Sequence, residues 1–248
     1  MNIREKECDK KLALKKFEFS VDEADKTIPE PLPRKSFFML IAGRPGSGKS
    51  TLLLNLLTKK GRMFYRKFDK IYLFSPSLKS MKGNPFKSIP ENQKFEDLTI
   101  ENMESAITGI EDTGDKVLFV LDDVVADMGK NAILNNYLMK LLFNRRHLCG
   151  EGGSTSWIIT TQGFVRIPAP IRKTASHLIL YHTRNRKELD TIFDETILLK
   201  KSEYYDILNY VFDKKHNFIF IDLDKKLEDM FYKNFNQLSF NCECGDVI

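Results

Sequence analysis

Apolar positions along this chain follow two rhythms. Near-continuous apolar runs occupy residues 37–42, 117–121 and 157–159, and β-branched and aromatic residues crowd 70–74, 176–182 and 217–222. A strand with one wet face alternates polar and apolar residues. An unbroken run marks a strand covered on both faces, as in a parallel sheet. The second rhythm is helical. Leu52, Leu53, Leu56 and Leu57 lie three and four apart, so 51–59 predicts a helix with one buried stripe. Ile100, Met103, Ile107 and Ile110 do the same for 98–110, and Leu134, Leu138, Leu141 and Leu142 for 133–142. Shorter helices are expected at 188–193, 203–212 and 227–235, and 217–222 reads as an antiparallel edge strand. Residues 79–93, rich in Ser, Pro, Asn and Lys, and 150–156, rich in Gly and Ser, read as loops. Ile167-Pro168-Ala169-Pro170 forces a rigid turn. Strands alternating with helices predict an α/β fold with a mostly parallel central sheet flanked by helices, and a small C-terminal strand and helix extension.

Prolines 29, 31 and 33 at alternate positions block a helix, so residues 1–36 read as an N-terminal extension or linker. Residues 37–200 form the expected core, and 201–248 an extension of the same domain. No apolar run approaches the ~18 residues of a membrane span, and the first residues lack the apolar core of a signal peptide. Cys8, Cys149, Cys242 and Cys244 are scattered, which reads as free thiols; Cys242-x-Cys244 is one pair without a second, a weak metal signal. His177 and His182, five apart on one strand, face opposite ways and read as structural. The net charge is +5, but residues 140–187 hold nine Lys and Arg against the single acid Glu151. Such a cluster suits a nucleic acid or a nucleotide's phosphates, or is a solvated basic face.

Chemistry enters with Gly43-Arg44-Pro45-Gly46-Ser47-Gly48-Lys49-Ser50, between the first strand and the first helix. This is the phosphate-loop pattern G-x-x-x-x-G-K-[ST] in its strand–loop–helix setting. Gly43, Gly46 and Gly48 let the backbone wrap a polyphosphate, with Pro45 and Ser47 in the same loop. Lys49 reaches the outer phosphates of ATP, the Ser50 hydroxyl ligates Mg²⁺, and Thr51 lies next on the helix.

The second signal is 117–121 ending in Asp122-Asp123, some 70 residues on. Asp122 is the candidate to help hold Mg²⁺, directly or through water. Asp123, one residue further, is placed to orient or deprotonate the attacking water, or to cap the following helix. Thr160, Thr161 and Gln162 end the next strand, where a Thr or Gln can bond the γ-phosphate or that water. Gln162 can equally cap a turn.

One strand, 70–74, lies between the loop strand and the Asp-Asp strand, which marks the additional-strand class of phosphate-loop ATPases with strand order 5-1-4-3-2. With Arg145-Arg146-His147, Thr160-Thr161-Gln162 before an Ile-Pro turn, and His182-Thr183-Arg184, the chain over about 37–193 resembles the poxvirus-type genome-packaging ATPases of large double-stranded DNA viruses. These are similar to the FtsK/HerA motors. Cellular relatives often carry Glu at the second acidic position; the shorter Asp123 implies reach through a second water. The resemblance implies an ATP-hydrolysing ring of five or six subunits that moves duplex DNA, with a capsid or portal-site protein as partner, in the host cytoplasm or the virion. It implies that Arg145 or Arg146, with Arg184 and Arg186 behind them, completes a neighbour's site in trans. Two rivals stand beside it. One is a helicase or recombination ATPase on single strands, for which Phe64, Tyr65 and Phe68 offer stacking rings. The other is a nucleotide-dependent switch with little turnover.

Overall fold

The strand-like runs form one nine-stranded sheet in the computed structural model, which describes residues 23–61, 63–78, 86–124, 128, 131–197 and 199–239. Its strands are β1 Phe38–Ala42, β2 Lys70–Phe74, β3 Lys94–Phe95, β4 Lys116–Asp122, β5 Ser154–Thr161, β6 His177–Tyr181, β7 Phe218–Asp222, β8 Phe231–Lys233 and β9 Asn236–Gln237. The helices described are α1 Lys49–Leu57, α2 Ile100–Thr108, α3 Ala132–Phe143, α4 Ala169–Arg172, α5 Arg186–Thr196 and α6 Lys201–Val211. The spatial order is β3-β2-β4-β5-β1-β6-β7-β8-β9. Numbered as the sequence analysis numbered them, the five main parallel strands stand 5-1-4-3-2, the expected order. The short β3 lengthens one edge and β7 to β9 the other.

Both faces of the sheet are covered, as the unbroken runs require. In β1, Phe38, Leu40 and Ala42 point into one hydrophobic cluster; Phe37, just before the strand, Met39 and Ile41 point into another. The first cluster takes Met103, Leu138, Ile171, Ile192 and Leu208 from α2 to α6. The second takes all four leucines of the α1 stripe. Each such side chain, fully buried, contributes about 1.5–3 kcal/mol. Side-chain caps start three helices: Thr99 accepts from Asn102 N, Asn131 from Leu134 N and Asn185 from Glu188 N.

Several expectations change. Residues 227–235 are not a helix. Phe231 and Tyr232 pair with Ile221 and Phe220 on β7, and Asn234 and Phe235 take positive φ in the β8–β9 turn. Aromatic residues packed on a sheet edge outweigh the helical spacing of this segment. Consequently β7 is antiparallel as expected but internal, with β8 beyond it. Residues 154–156 belong to β5 rather than to a loop. Their hydroxyls are buried but satisfied locally: Thr155 Oγ1 donates to Arg145 O at 3.0 Å and accepts from Trp157 Nε1 at 2.8 Å. The helices expected at 188–193 and 203–212 run over Arg186–Thr196 and Lys201–Val211.

Phe64 is fully buried, stacked on Phe37 and edge-on to Phe68. The buried Cys149 thiol is pushed up to about 11 by desolvation, which keeps it protonated and unreactive. Cys8, Cys242 and Cys244 lie outside the described residues. Among the described residues, no helix is long and apolar enough to cross a membrane.

Candidate nucleotide site

Because β1, β2, β4, β5 and β6 run parallel, their carboxyl ends share one edge of the sheet, where open α/β sheets bind ligands. The phosphate loop leaves β1 there, anchored by Gly43 N donating to Thr161 O at 3.0 Å. A Cβ on Gly43 would lie 2.7 Å from both Ser47 Oγ and Tyr181 Cβ, so only glycine fits. Gly46 and Gly48 have φ of 74° and 112°, and Gly48 sits at the N-cap of α1. Lys49 is buried, and its Nζ donates to Gly43 O at 2.5 Å and Arg44 O at 3.4 Å. Burial lowers the pKa of this ammonium, while the carboxylates of Asp123 and Asp122 act to raise it.

A cavity of about 640 Å³ opens on the loop, lined by residues 46–52, Asn55, Tyr181, His216 and Phe218. Ser50 and Thr51 are exposed toward it, Pro45 is exposed at the loop apex, and Ser47 Oγ is buried with no hydrogen-bond partner among the described residues. His216 Nδ1 donates to Ser47 O at 2.9 Å, so the turn leading into β7 braces the loop. A buried free hydroxyl, a Gly43 with no room for a Cβ, glycines at positive φ and the N-terminus of α1 together fit a polyphosphate.

The acidic strand end is tied into one chain of hydrogen bonds. Asp122, buried, accepts from Thr160 Oγ1 at 2.7 Å and from Ser75 Oγ at 3.2 Å. The same Thr160 oxygen accepts from Asp123 N at 3.0 Å. Asp123 sits at φ 57° with its carboxylate exposed, and accepts from Gln162 Nε2 at 2.9 Å. Asp122 thus meets only hydroxyl donors, and no Lys or Arg pairs with it among the described residues. Such a buried carboxylate beside the Ser50 end of α1 has the oxygen chemistry that Mg²⁺ takes.

Lys49, Asp122, Asp123 and Gln162 therefore share one edge with the loop. Arg145 and Arg146 do not. Arg145 O accepts from Thr155 N, six residues back along β5 from Thr161, roughly 20 Å from the tips at the strand rise. Arg145 is half-buried with its guanidinium on Leu142 O at 3.2 Å; Arg146 is exposed. Arg184 and Arg186 are exposed just past the tip of β6, on the loop's edge.

Three contributors escaped the sequence reading. Ser75 follows β2 and bonds Asp122, a place a strand-tip Ser next to the Asp strand could have signalled. Glu188, buried, accepts from Phe164 N and from Thr183 Oγ1, fixing the turn after Gln162. His216 reaches Ser47 from 169 residues away, which no local pattern shows.

Loop, acidic strand end and strand order define the class: an α/β phosphate-loop NTPase with an additional strand. Residues 26–222 match the family described as Poxvirus A32 protein. The chain belongs to that family. No curated protein matches it. Among solved structures, the genome packaging NTPase B204 from Sulfolobus turreted icosahedral virus 2, in complex with sulfate, superposes with a TM-score of 0.60 at 14% identity, over 83% of this chain and 98% of that one. Its complex with ATP-gammaS gives 0.57 at 15%, over 80% and 96%. The pCW3 conjugation coupling protein TcpA with ATPgS gives 0.51 at 16%, over 84% and 61%. At these identities the likeness is one of fold.

Proposed function

We propose that the chain is an ATP-hydrolysing motor that translocates double-stranded DNA and packages a viral genome. The observation that carries this reading is the hydrogen-bonded chain from Ser75 through Asp122, Thr160 and Asp123 to Gln162, set beside the phosphate loop in a member of the Poxvirus A32 family. Lys49 binds the outer phosphates in place of the Gly43 and Arg44 carbonyls it now holds. Ser50 and Asp122 would hold Mg²⁺, which would supply charge neutralisation at the phosphates. Asp123 orients the attacking water and accepts its proton through a second water, as its short arm requires, and Gln162 fixes that carboxylate. Resemblance in fold to the packaging NTPase B204 supports the packaging role.

The catalytic edge of one subunit is completed in a ring of five or six by an arginine from the next. Arg146 suits this better than Arg145, whose guanidinium is engaged with the end of α3; Arg184 and Arg186 stand behind it. The basic stretch 140–187 grips phosphate backbone, since a motor must move any sequence. A capsid or portal-site protein receives the DNA, in the host cytoplasm or the virion. The single-strand reading loses one of its three rings, since Phe64 is fully buried against Phe37, while Tyr65 and Phe68 are partly buried.

The test is ATP turnover with and without linear duplex DNA across a salt series. Stimulation by duplex is expected, declining steeply as salt rises because the logarithm of DNA affinity falls linearly with log salt. Stimulation by single strands alone would favour the helicase reading, and none by either the switch.

A further inference from the structure

At the end of the sheet remote from the phosphate loop, three side chains converge that the nucleotide site does not use. His177 opens β6, Asp222 closes β7 directly opposite it in the antiparallel ladder, and Asp224 follows in the next turn. One ligand atom from each lies within 4.8 Å of the other two. His177 and Asp222 are buried, and Asp224 is exposed, giving an ion a way in from solvent.

The distances leave room for a shared ion, although Asp222 Oδ1 also accepts from Asp224 N at 3.1 Å. His177 Nε2 and Asp222 Oδ1 are 3.5 Å apart. That is beyond the range of a good N–H···O bond. Two ligands each about 2.0–2.2 Å from one tetrahedral ion stand about 3.4 Å from each other, which matches. The other ring nitrogen supports the same reading. Nδ1 lies 2.8 Å from Ser176 Oγ, and that hydroxyl accepts from Phe38 N at 3.1 Å and donates to Phe38 O at 3.2 Å. Phe38 O also accepts from Ser176 N at 2.9 Å, so the Ser176 proton can turn to Phe38 O or to Nδ1; with it on Phe38 O, Nδ1–H donates to Ser176 and the lone pair of Nε2 faces the carboxylate, the tautomer that an ion selects. A metal-ligating histidine is commonly oriented by such a bond from its second nitrogen. Two cations, Lys225 and Arg145, lie near enough to act on His177; the Lys225 ammonium also donates to Tyr232 Oη at 2.7 Å and lies over that ring.

We propose that His177, Asp222 and Asp224 form a binding site for one divalent ion of the zinc class, with water completing the coordination. Its ligands come from β6, β7 and the turn beyond, so the ion clamps the antiparallel end of the sheet to the parallel part.

The experiment uses the full chain with Cys8, Cys242 and Cys244 replaced by Ser, so that their thiols do not compete. The protein is stripped with a chelator and titrated calorimetrically with Zn²⁺ in Mg²⁺ buffer without nucleotide. One zinc per chain is expected, with a rise in Tm. Asp224→Ala, on an exposed turn, should weaken binding at least tenfold and abolish the rise, as should His177→Gln. Absence of binding, or parental affinity in Asp224→Ala, overturns the proposal. Should His177→Gln not fold, Asp224→Ala alone decides.

Discussion

Thr160 is the joint of the catalytic edge, and Thr160→Val tests it. Valine keeps the shape and removes one hydroxyl that serves two groups. That oxygen donates to Asp122 at 2.7 Å and accepts from Asp123 N at 3.0 Å, and Thr160 is 0% exposed, so water cannot substitute. A bond to a charged group contributes about 1.5–3 kcal/mol and a neutral one about 0.5–1.5, giving a loss of about 2–4 kcal/mol with Ser75 still holding Asp122. For a chain of this size that lowers Tm by about 5–15 °C. Activity should fall further than binding. Both carboxylates take their position from this oxygen, and a displacement near 1 Å costs up to ~10²-fold in rate. We expect kcat to drop ~10–10²-fold while ATP affinity changes less than ~3-fold. Thermal unfolding and steady-state hydrolysis measure the two effects, and Thr160→Ser should restore both. A valine variant with parental Tm and kcat would refute the shared-hydroxyl argument.

Other substitutions probe other parts. Asp123→Asn should keep ATP binding and lose hydrolysis; a parental rate would reduce Asp123 to a partner for Gln162. Lys49→Ala should end turnover with the far-ultraviolet spectrum unchanged, and retained turnover would contradict the assigned site. Gly43→Ala forces a Cβ to 2.7 Å from Ser47 Oγ and Tyr181 Cβ, so nucleotide affinity should fall at least tenfold while the protein remains folded. Glu195 accepts from Arg172 Nε at 2.6 Å and Nη2 at 2.5 Å, and that pair holds its carboxyl below the ordinary 4.5. A lowered folded-state pKa contributes stability that is full above 4.5 and lost as pH falls through the folded value. The Tm deficit of Glu195→Gln should therefore be largest near neutrality and shrink in acid. A deficit independent of pH would show that the ion pair is not its source.

The parallel strands were legible because burial on both faces leaves no polar positions to confuse the period, as in 37–42 and 117–121. Order came with the class: one strand between the loop strand and the acidic strand marks the additional-strand type, and 5-1-4-3-2 is the order that the type implies. The C-terminal end was not legible. Leu227, Phe231 and Phe235 have spacing compatible with a helix, and what makes Phe231 and Tyr232 a strand is β7 alongside, a contact absent from any local window. Residues 154–156 misled for a related reason. Serine and threonine read as loop, yet here their hydroxyls find partners in Arg145 O, Phe37 N and Trp157 Nε1. In the site, Lys49, Ser50, Asp122 and Asp123 carry their chemistry in sequence. Ser75 and His216 acquire theirs only from neighbours the fold supplies.

The reversal of direction at β7 governs how the protein can be cut. β6, His-Leu-Ile-Leu-Tyr, is buried along its whole length and is covered on one side by β7 alone. A recombinant chain stopped at residue 200 leaves that strand as a bare apolar rim whose open amides recruit other copies, the usual beginning of a precipitate. It also removes the brace on the Ser47 carbonyl. Shortening this protein toward its phosphate loop therefore trades solubility away together with the loop's support.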